Sequence, residues 1–463
     1  MSGVRRLPAV ADLTLVTAGA MTANVAGYLL QLLAGRWLGV AGYGEFASLL
    51  AVQLLCAVPA LALQNVVARE LVRGARVATV RALGWWCAAV VAVVAAVLVP
   101  VVSAVLHVGA VAAAGALLAA PAQVLLSGEQ GILQGGRRFR ALATVLGGAG
   151  IARVAPALVV LAAGAGATAA LWAAALGLFV AALGARWAAV PVVSTLDPDP
   201  GGIEVGSDTS DGSAAGPDPS SADSRHRDRA YAGRGSNLRE ATTAGPYAAA
   251  ATDSRDTLRI RAGGMAVLRA VQVQAALMAM SSADLIVARI VLERDDAGRY
   301  ALGAIATKIA FWLPQAVGVV LYPRMAQPQY SARAIRAALG VLLGVGVAAV
   351  AGATVLAPLA PLLAGGDYAP IEGWLWLFAL DGALLALLQG ALLSAIALDR
   401  TAPAAITWIG LAVEVGAIAL FAHTLPALIG ISTLVVGVVA VLMIIVVLRA
   451  AVRDHDVPVH HSA

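Results

Sequence analysis

The fold is decided by residues 282–324, which read SADLIVARIVLERDDAGRYALGAIATKIAFWLPQAVGVVLYPR. Two apolar runs flank a charged cluster at residues 293–299. The stretch therefore predicts two membrane-spanning helices joined by a short turn. Asp284 lies in the first run, and Lys308, the sole lysine of the sequence, lies in the second. At about 1.5 Å of rise per residue, both charges lie roughly 15–20 Å below the turn, on neighbouring antiparallel helices.

This placement leaves two interpretations of the two charges open. A charge near the middle of a bilayer costs at least ~2.5–3.5 kcal/mol, so it is usually paired or faces water. Asp284 and Lys308 meet this requirement as an ion pair that holds two helices together. They also meet it as functional groups that open onto a polar cavity.

The composition is that of an all-α polytopic membrane protein. Of the 463 residues, 60% are hydrophobic and only 12% are charged, with a mean hydropathy of +0.86, whereas soluble domains carry about 25% charged residues. Runs of about 20 apolar residues predict twelve spans. Six precede a polar break, at 12–35, 44–66, 83–106, 109–134, 141–163 and 167–190, and six follow it, at 262–292, 297–323, 334–358, 370–398, 403–422 and 425–450.

The charged and sulfur-containing residues exclude several other classes of protein. The net charge of +5 does not indicate nucleic-acid binding, because the arginines lie mostly in loops between apolar runs. Cys56 and Cys87 lie in apolar helices, so neither a disulfide framework nor a metal site is predicted. We expect no cofactor. The sequence contains no G-x-x-x-x-G-K-[ST] phosphate-binding loop, so ATP does not supply the energy through such a motif.

The distribution of arginine predicts the orientation in the plasma membrane. With the N-terminus inside, the short inner segments contain fifteen arginines and the outer loops three. The inner set is Arg5, Arg6, Arg69, Arg73, Arg76, Arg81, Arg137, Arg138, Arg140, Arg324, Arg333, Arg336, Arg400, Arg449 and Arg453, and the outer set is Arg36, Arg294 and Arg299. Both termini are therefore predicted to be cytoplasmic.

The polar break divides the chain into two lobes. We assign 1–191 to a first six-helix lobe, 192–260 to a linker, 261–452 to a second six-helix lobe and 453–463 to a cytoplasmic tail. The linker is rich in Gly, Ser, Asp and Pro, which predicts a disordered cytoplasmic segment.

The two halves repeat one another at a nearly constant offset of 253–255 residues. The offset pairs Gln31 with Asp284, Arg36 with Arg289, Gly44 with Gly298, Phe46 with Tyr300, Gln53 with Lys308, Pro59 with Pro314 and Arg69 with Arg324. Because each half contains an even number of spans, both enter the membrane in the same direction. Such parallel repeats are typical of transporters that hold their substrate between two lobes.

Several polar residues inside the spans are candidates for that path. Arg153, in the fifth span, has no adjacent acid and lies about a dozen residues from the inner arginines, which favours an anion contact over helix-end snorkelling. Glu129 lies a turn or two from Arg137 and Arg138, so we predict a structural ion pair with one of them. Glu414 is a candidate proton or cation carrier, or a partner for Arg153. Further cavity or ion-coupling candidates are Asn24, Gln31, Gln53 and Asp284, and Asp381 belongs to the same polar inventory.

The sequence resembles the Wzx-like flippases, the polysaccharide-exporter branch of the multidrug/oligosaccharidyl-lipid/polysaccharide (MOP) superfamily. The similar stretches are RWLGVAGYGEFASLL at 36–50 with the following Pro59 and ARE at 68–70, GILQGGRRFRALA at 131–143, residues 284–308, LYPRMAQ at 321–327 and LLAGGDYA at 362–369. These stretches are spread over nearly all of the predicted membrane-spanning region and occur in the same order as in the family. The long central linker departs from the pattern.

The resemblance implies a MATE-like fold and a transporter that is not an enzyme. Its implied substrate is a polyprenyl-pyrophosphate-linked oligosaccharide, flipped across the plasma membrane by alternating access for cell-surface polysaccharide biosynthesis. Arg153, Lys308 and Arg289 would then bind the anionic head group, while the polyprenyl tail stays among membrane lipids. Proteins of polysaccharide assembly would be partners, bound through the linker at 192–260. The alternatives are a drug or cation antiporter of the same superfamily, a membrane polymerase or ligase, and a scaffold of polysaccharide assembly. Short predicted outer loops disfavour an enzyme.

Overall fold

The computed structural model describes residues 10–190, 272, 275–313, 331–397 and 402–453. The helices of the first lobe are α1 Val10–Cys56, α2 Val58–Val72, α3 Val77–Leu106, α4 Ala110–Leu117, α5 Ala119–Gly135, α6 Phe139–Ala162 and α7 Ala167–Ala188. Those of the second are α8 at 275–291, α9 Arg294–Trp312, α10 Ser331–Leu356, α11 Leu359–Ala364, a 3-10 helix Gly366–Trp374, α12 Leu375–Ala397, α13 Ala402–Phe421 and α14 Leu425–Arg453.

The predicted spans are helical wherever the structure describes them, apart from short breaks and their terminal residues. Within the described ranges, eight stretches are long and apolar enough to cross a membrane. One of them, Leu15–Val72, has 58 residues and is long enough for two crossings at about 20 residues each. The all-α polytopic architecture is confirmed. The predicted linker at 192–260 and the tail residues 454–463 lie outside the described ranges.

The outer turn predicted after the first span is a kink within α1. Gly39 has φ 67° and ψ 176°, which is not helical, and its positive φ favours glycine. The second span also differs from a single helix, because α1 ends at Cys56 and α2 begins at Val58. Pro59 occupies the first turn of α2, where its missing N–H costs no hydrogen bond.

The two lobes meet along α1 and α9. The repeat makes α9 equivalent to the part of α1 that follows the kink at Gly39. A Cβ built on Gly44 would lie 3.1 Å from Gly298 Cα. Gly298 is the repeat partner of Gly44, and a residue that contacts its own equivalent must lie near the axis that relates the two halves. This contact therefore supports the parallel repeat and places its axis between α1 and α9.

The structure corrects the predicted partner of Glu129. Its two carboxylate oxygens accept hydrogen bonds of 2.9 Å and 2.8 Å from Arg81 Nε and Nη2, not from Arg137 or Arg138. Glu129 is only 8% exposed. The bidentate pair links α3 to α5, so the expected structural role stands with a partner 48 residues away.

We expect Glu129→Gln to lower the thermal stability of the purified protein by at least about 5 °C. Removing one partner of a buried ion pair leaves the other charge uncompensated, at a cost of about 3–5 kcal/mol. The measurement is the apparent Tm in detergent. The exposed pair of Glu70 and Arg73, joined at 3.0 Å, provides the control, because an equivalent Glu70→Gln change should shift the Tm by less than about 2 °C. Equal shifts would contradict a structural role for the Arg81–Glu129 pair.

Candidate functional site

Three acidic side chains and one lysine converge inside the second lobe. Asp284 on α8, Asp381 on α12 and Glu414 on α13 are 3%, 1% and 0% exposed. Lys308 on α9 interacts electrostatically with Asp284 and Asp381, and Glu414 interacts with both acids. We call Asp284, Lys308, Asp381 and Glu414 the second-lobe polar cluster.

Hydroxyl groups and one backbone carbonyl, not a direct ion pair, provide the hydrogen bonds of the two charges on α8 and α9. Tyr300 Oη donates a hydrogen bond of 2.7 Å to Asp284 Oδ2. Lys308 Nζ donates to Ser281 O, to Ser281 Oγ at 3.2 Å and to Ser282 Oγ at 2.9 Å. The structure therefore places Lys308 and Asp284 in one cluster, with Lys308 bound to the serines of α8.

Each acid of the cluster retains a carboxylate oxygen without a hydrogen-bond partner. These atoms are Asp284 Oδ1, Asp381 Oδ1 and Glu414 Oε2. The other oxygen of Glu414 accepts a hydrogen bond of 2.8 Å from Ser432 Oγ. Unsatisfied buried carboxylate oxygens cost free energy. The cluster therefore has three vacant acceptor positions in a place where negative charge is costly.

Close helix packing fixes the position of Lys308 relative to Asp381. A Cβ on Gly382 of α12 would lie 2.1 Å from Thr307 O on α9, so only glycine permits this approach. Thr307 Oγ1 also donates a hydrogen bond of 2.9 Å to Phe378 O. Small residues allow membrane helices to approach closely. This contact brings the residues next in sequence, Lys308 and Asp381, into the same cluster.

A separate pocket of about 200 Å³ lies between the lobes. The first lobe contributes residues of α1, α2, α5 and α6, and the second contributes one residue each of α8 and α9. The lining residues are Leu50, Gln53, Leu54, Ala57, Val58, Ala60, Leu61, Gln123, Arg153, Met278 and Trp312. We call this space the interlobe pocket, and Arg153 is the one charged side chain among these lining residues.

Glycine contacts on both sides of α6 hold Arg153 in the interlobe pocket. A Cβ on Gly150 would lie 2.5 Å from Ala23 Cα of α1, and one on Gly177 of α7 would lie 1.8 Å from Ala152 O. The adjacent guanidinium of Arg153 makes no hydrogen bond or ion pair with a described residue. Glu414, the alternative partner, forms no ion pair with Arg153 in the described part of the chain; it lies in the second-lobe polar cluster and accepts a hydrogen bond from Ser432 Oγ.

The remaining predicted site residues lie apart from the pocket and the cluster. Arg289, near the end of α8, has electrostatic interactions with Glu45 and Arg294 at the predicted outer side. Asn24 and Gln31 are half-buried on α1. Between them, Tyr28 Oη donates a hydrogen bond of 3.1 Å to Lys308 O. Their spacing of four and three residues puts all three on one face of α1, and that face includes a contact with the second lobe.

Contacts between the lobes also occur near the predicted outer turns. Arg36 Nη1 lies 3.3 Å and 3.4 Å from the carbonyl oxygens of Leu362 and Leu363, to which it donates. Tyr368 Oη donates a hydrogen bond of 3.2 Å to Gly35 O. Together with Gly44 and Gly298, these residues form what we call the outer contact. The lobes are joined at this end of α1 and α9 in the structure.

Sequence reasoning missed several residues that complete these sites. In the sequence, Tyr300 is distinguished only as the repeat partner of Phe46. Gln123 and Trp312, in the interlobe pocket, lie within predicted spans as single polar or aromatic residues and give no spacing signal. Ser281 and Ser282 look like ordinary small residues of a membrane helix. Their position two and three residues before Asp284 is the one signal in the sequence that could have indicated them.

Comparison with known proteins identifies the fold. No protein-family model matches the sequence, and no curated protein matches it significantly. The chain is similar to an inward-facing multidrug resistance MATE family transporter of the MOP superfamily, with a TM-score of 0.64 at 13% identity over 97% of this chain and 100% of that one. It is also similar to the lipid II flippase MurJ in an inward closed conformation, with a TM-score of 0.63 at 10% identity over 96% and 91%.

A third similar structure is a MOP superfamily transporter from Pyrococcus furiosus, described as having a binding pocket of reversed polarity. Its TM-score is 0.50 at 14% identity, over 96% of each chain. These matches span the full architecture. The chain is an all-α polytopic membrane protein with the MATE-like fold of the MOP superfamily transporters.

Proposed function

We propose that the protein is a membrane transporter that flips a polyprenyl-pyrophosphate-linked saccharide across the plasma membrane for cell-surface polysaccharide biosynthesis. The observation that carries this proposal is Arg153, a cation without a described partner in a pocket between two lobes. An unpaired charge in such a place is costly. The site is therefore best matched to a substrate that brings its own negative charge.

A phosphate group fits the pocket chemically. A guanidinium presents its N–H groups in a planar fork that binds two phosphate oxygens at once. The described apolar residues around Arg153 lower the local dielectric, which strengthens that contact. A lipid II flippase is among the proteins of similar fold, so the fold is compatible with a lipid-linked substrate.

We assign the second-lobe polar cluster to energy coupling and take Lys308 out of the head-group site. Three buried acids face one lysine, and more than one net buried negative charge is costly. Binding a proton or a monovalent cation would neutralise the excess, and its release on the other side would restore it. Because Tyr28 of the first lobe contacts the backbone of Lys308, occupancy of the cluster can influence how the lobes meet.

The same cluster favours one alternative, a drug or cation antiporter. Buried acids are what an exporter of cationic drugs would need, and one of the similar structures is a multidrug transporter. The two proposals differ at Arg153. An arginine without a described partner repels a cationic substrate and attracts an anionic one.

Gene deletion in the native host tests the proposed function. The deletion should cause lipid-linked saccharide to accumulate in the inner leaflet, and the wild-type gene should reverse this. Arg153→Gln should fail to reverse it, and Arg153→Lys should do so in part because the charge is kept. Arg186→Gln, on an exposed residue near the end of α7, should behave as wild type. Increased drug sensitivity without saccharide accumulation would support the antiporter and overturn the flippase.

Cysteine labelling tests the predicted orientation. Single cysteines at Ser210 and Gly366 are introduced into a variant in which Cys56 and Cys87 are replaced by alanine. An impermeant thiol reagent added to intact cells should label only Gly366→Cys, because the fifteen-to-three arginine asymmetry puts the linker inside. In permeabilised cells, both introduced cysteines should be labelled. Labelling of Ser210→Cys in intact cells would reverse the topology.

A further inference from the structure

The interlobe pocket contains groups that a phosphate does not use. Gln53, which is 5% exposed, and Gln123 come from the first lobe. The indole of Trp312 and the thioether of Met278 come from the second. Neither glutamine side chain makes a hydrogen bond with a described residue. Two amides without described partners and an aromatic ring therefore surround the same space as Arg153.

These residue types suit a sugar ring. A pyranose has hydroxyl groups around its rim and flat C–H surfaces above and below. Each glutamine amide offers both a donor and an acceptor, so it can bind a hydroxyl in either sense. A tryptophan supplies a large flat apolar surface at low entropic cost. Trp312 is held in place by Phe311, whose ring centroid lies 5.1 Å from that of Trp312 in an edge-to-face arrangement.

The size of the pocket limits what it takes. Its volume of about 200 Å³ lies below the roughly 300–1,000 Å³ of pockets that enclose a drug-sized ligand. An oligosaccharide does not fit inside it. The space suits one ring beside the group held by Arg153.

We propose that the interlobe pocket is a subsite for the first sugar of the lipid-linked substrate, the one attached to its phosphate. Trp312 stacks on a face of the ring, Gln53 and Gln123 bind its hydroxyls, and Arg153 binds the adjoining phosphate. The proposal rests on the proposed function and adds a selectivity to it. The residues next to the phosphate recognise the first sugar, whereas the later sugars of the saccharide lie outside the pocket.

The two lobes contribute different halves of this subsite. The amides and Arg153 belong to the first lobe, and Trp312 belongs to the second. A bound sugar therefore bridges the lobes. Rocking of one lobe against the other would separate the ring-stacking surface from the hydrogen-bonding groups, which weakens binding and favours release on the opposite side.

Binding to the full-length protein in nanodiscs tests the subsite. The two probes are a short polyprenyl pyrophosphate and the same lipid pyrophosphate carrying one hexose. We expect the glycosylated probe to bind wild type roughly tenfold more tightly, a difference within reach of one stacked ring and its hydrogen bonds. Trp312→Ala should remove most of this preference while leaving the affinity for the bare lipid pyrophosphate unchanged. Arg153→Gln should weaken the binding of both probes.

Two further variants keep the test decisive. Trp187→Ala replaces a tryptophan that is 84% exposed near the end of α7 and should leave both affinities unchanged. If Trp312→Ala does not fold, Gln123→Ala is the substitute, and it should reduce the preference for the glycosylated probe by at least threefold.

Each remaining outcome has a distinct meaning. Equal binding of both probes to wild type overturns the sugar subsite and leaves the proposed function standing, provided that Arg153→Gln weakens both. A preference that survives both Trp312→Ala and Gln123→Ala also overturns the subsite. Failure of wild type to bind either probe, or full binding by Arg153→Gln, removes the proposed function together with the inference.

Discussion

Lys308→Ala should lower the yield of folded protein and reduce translocation by more than about tenfold. The ammonium is the one cation among the four members of the second-lobe polar cluster, and it donates to Ser281 and Ser282. Its removal leaves three buried acids without a compensating charge. Loss of one partner of a buried charge network typically costs about 3–5 kcal/mol. Folded yield is measured by size-exclusion chromatography, and translocation in membranes adjusted to equal protein.

Changes at Asp284 separate a structural role from a coupling role. Asp284→Asn still accepts the hydrogen bond from Tyr300 and should fold well. Combined with Lys308→Ala, it removes one negative charge and should recover most of the folded yield. If the cluster serves coupling, the double variant folds without transporting. Recovery of both folding and transport in the double variant would show that the cluster is purely structural, and wild-type behaviour of Lys308→Ala would contradict any role for it.

Gly298→Leu should disrupt the outer contact and shift the protein toward a form that is open on the predicted outer side. A Cβ on Gly298 would lie 2.0 Å from Val40 O and 2.7 Å from a side-chain carbon of Val40, far inside contact distance. The adjacent backbones of α1 and α9 cannot both stay in place. We expect transport to fall by more than about tenfold, because alternating access needs the lobes to close at both ends.

Accessibility of the interlobe pocket measures that shift. A cysteine at Gln53, in a background without Cys56 and Cys87, should react faster with an impermeant thiol reagent from outside when Gly298→Leu is present. The control is Gly340→Leu on α10, where an added Cβ meets nothing within 4 Å. Unchanged reactivity of Gln53→Cys beside Gly298→Leu, with normal transport, would show that the outer contact does not close the pocket.

The architecture was predictable because membrane spans are encoded locally. About 20 apolar residues in a row leave few structures other than a helix, so all twelve predicted spans fall on helical segments as far as the structure describes them. The repeat was visible at Gly44 and Gly298 because close contact at an axis tolerates only glycine. The kink at Gly39 was not distinguishable from a turn. A kink and a turn alike need a residue that accepts a positive φ.

The sites were less predictable because their partners are distant in sequence. Glu129 pairs with Arg81 across 48 residues, whereas proximity along the chain favoured Arg137 or Arg138. The depth estimated from the helical rise correctly predicted that Lys308 lies near Asp284. Depth does not determine direction around a helix, however, so the sequence did not show that Lys308 turns toward the serines of α8.

The head-group residues illustrate the same limit. Arg153, Lys308 and Arg289 look equivalent as cations in apolar runs, but the structure places them in three surroundings: the interlobe pocket, the second-lobe polar cluster and the neighbourhood of Glu45. Which cation lines the pocket depends on helix rotation, which small-residue contacts such as that of Gly177 with Ala152 set. Such contacts leave no periodic signal in an Ala-rich sequence.

Flipping by the purified protein tests the central claim most directly. The full-length chain is reconstituted into liposomes that carry a polyprenyl-pyrophosphate-linked saccharide in both leaflets, and an impermeant reagent that modifies sugars is added outside. With wild type, we predict that nearly all of the saccharide becomes modified once a proton gradient is imposed, whereas Arg153→Gln liposomes stop at the outer-leaflet half. Modification that stops at one half with wild type, in liposomes shown to contain folded protein, would contradict the account.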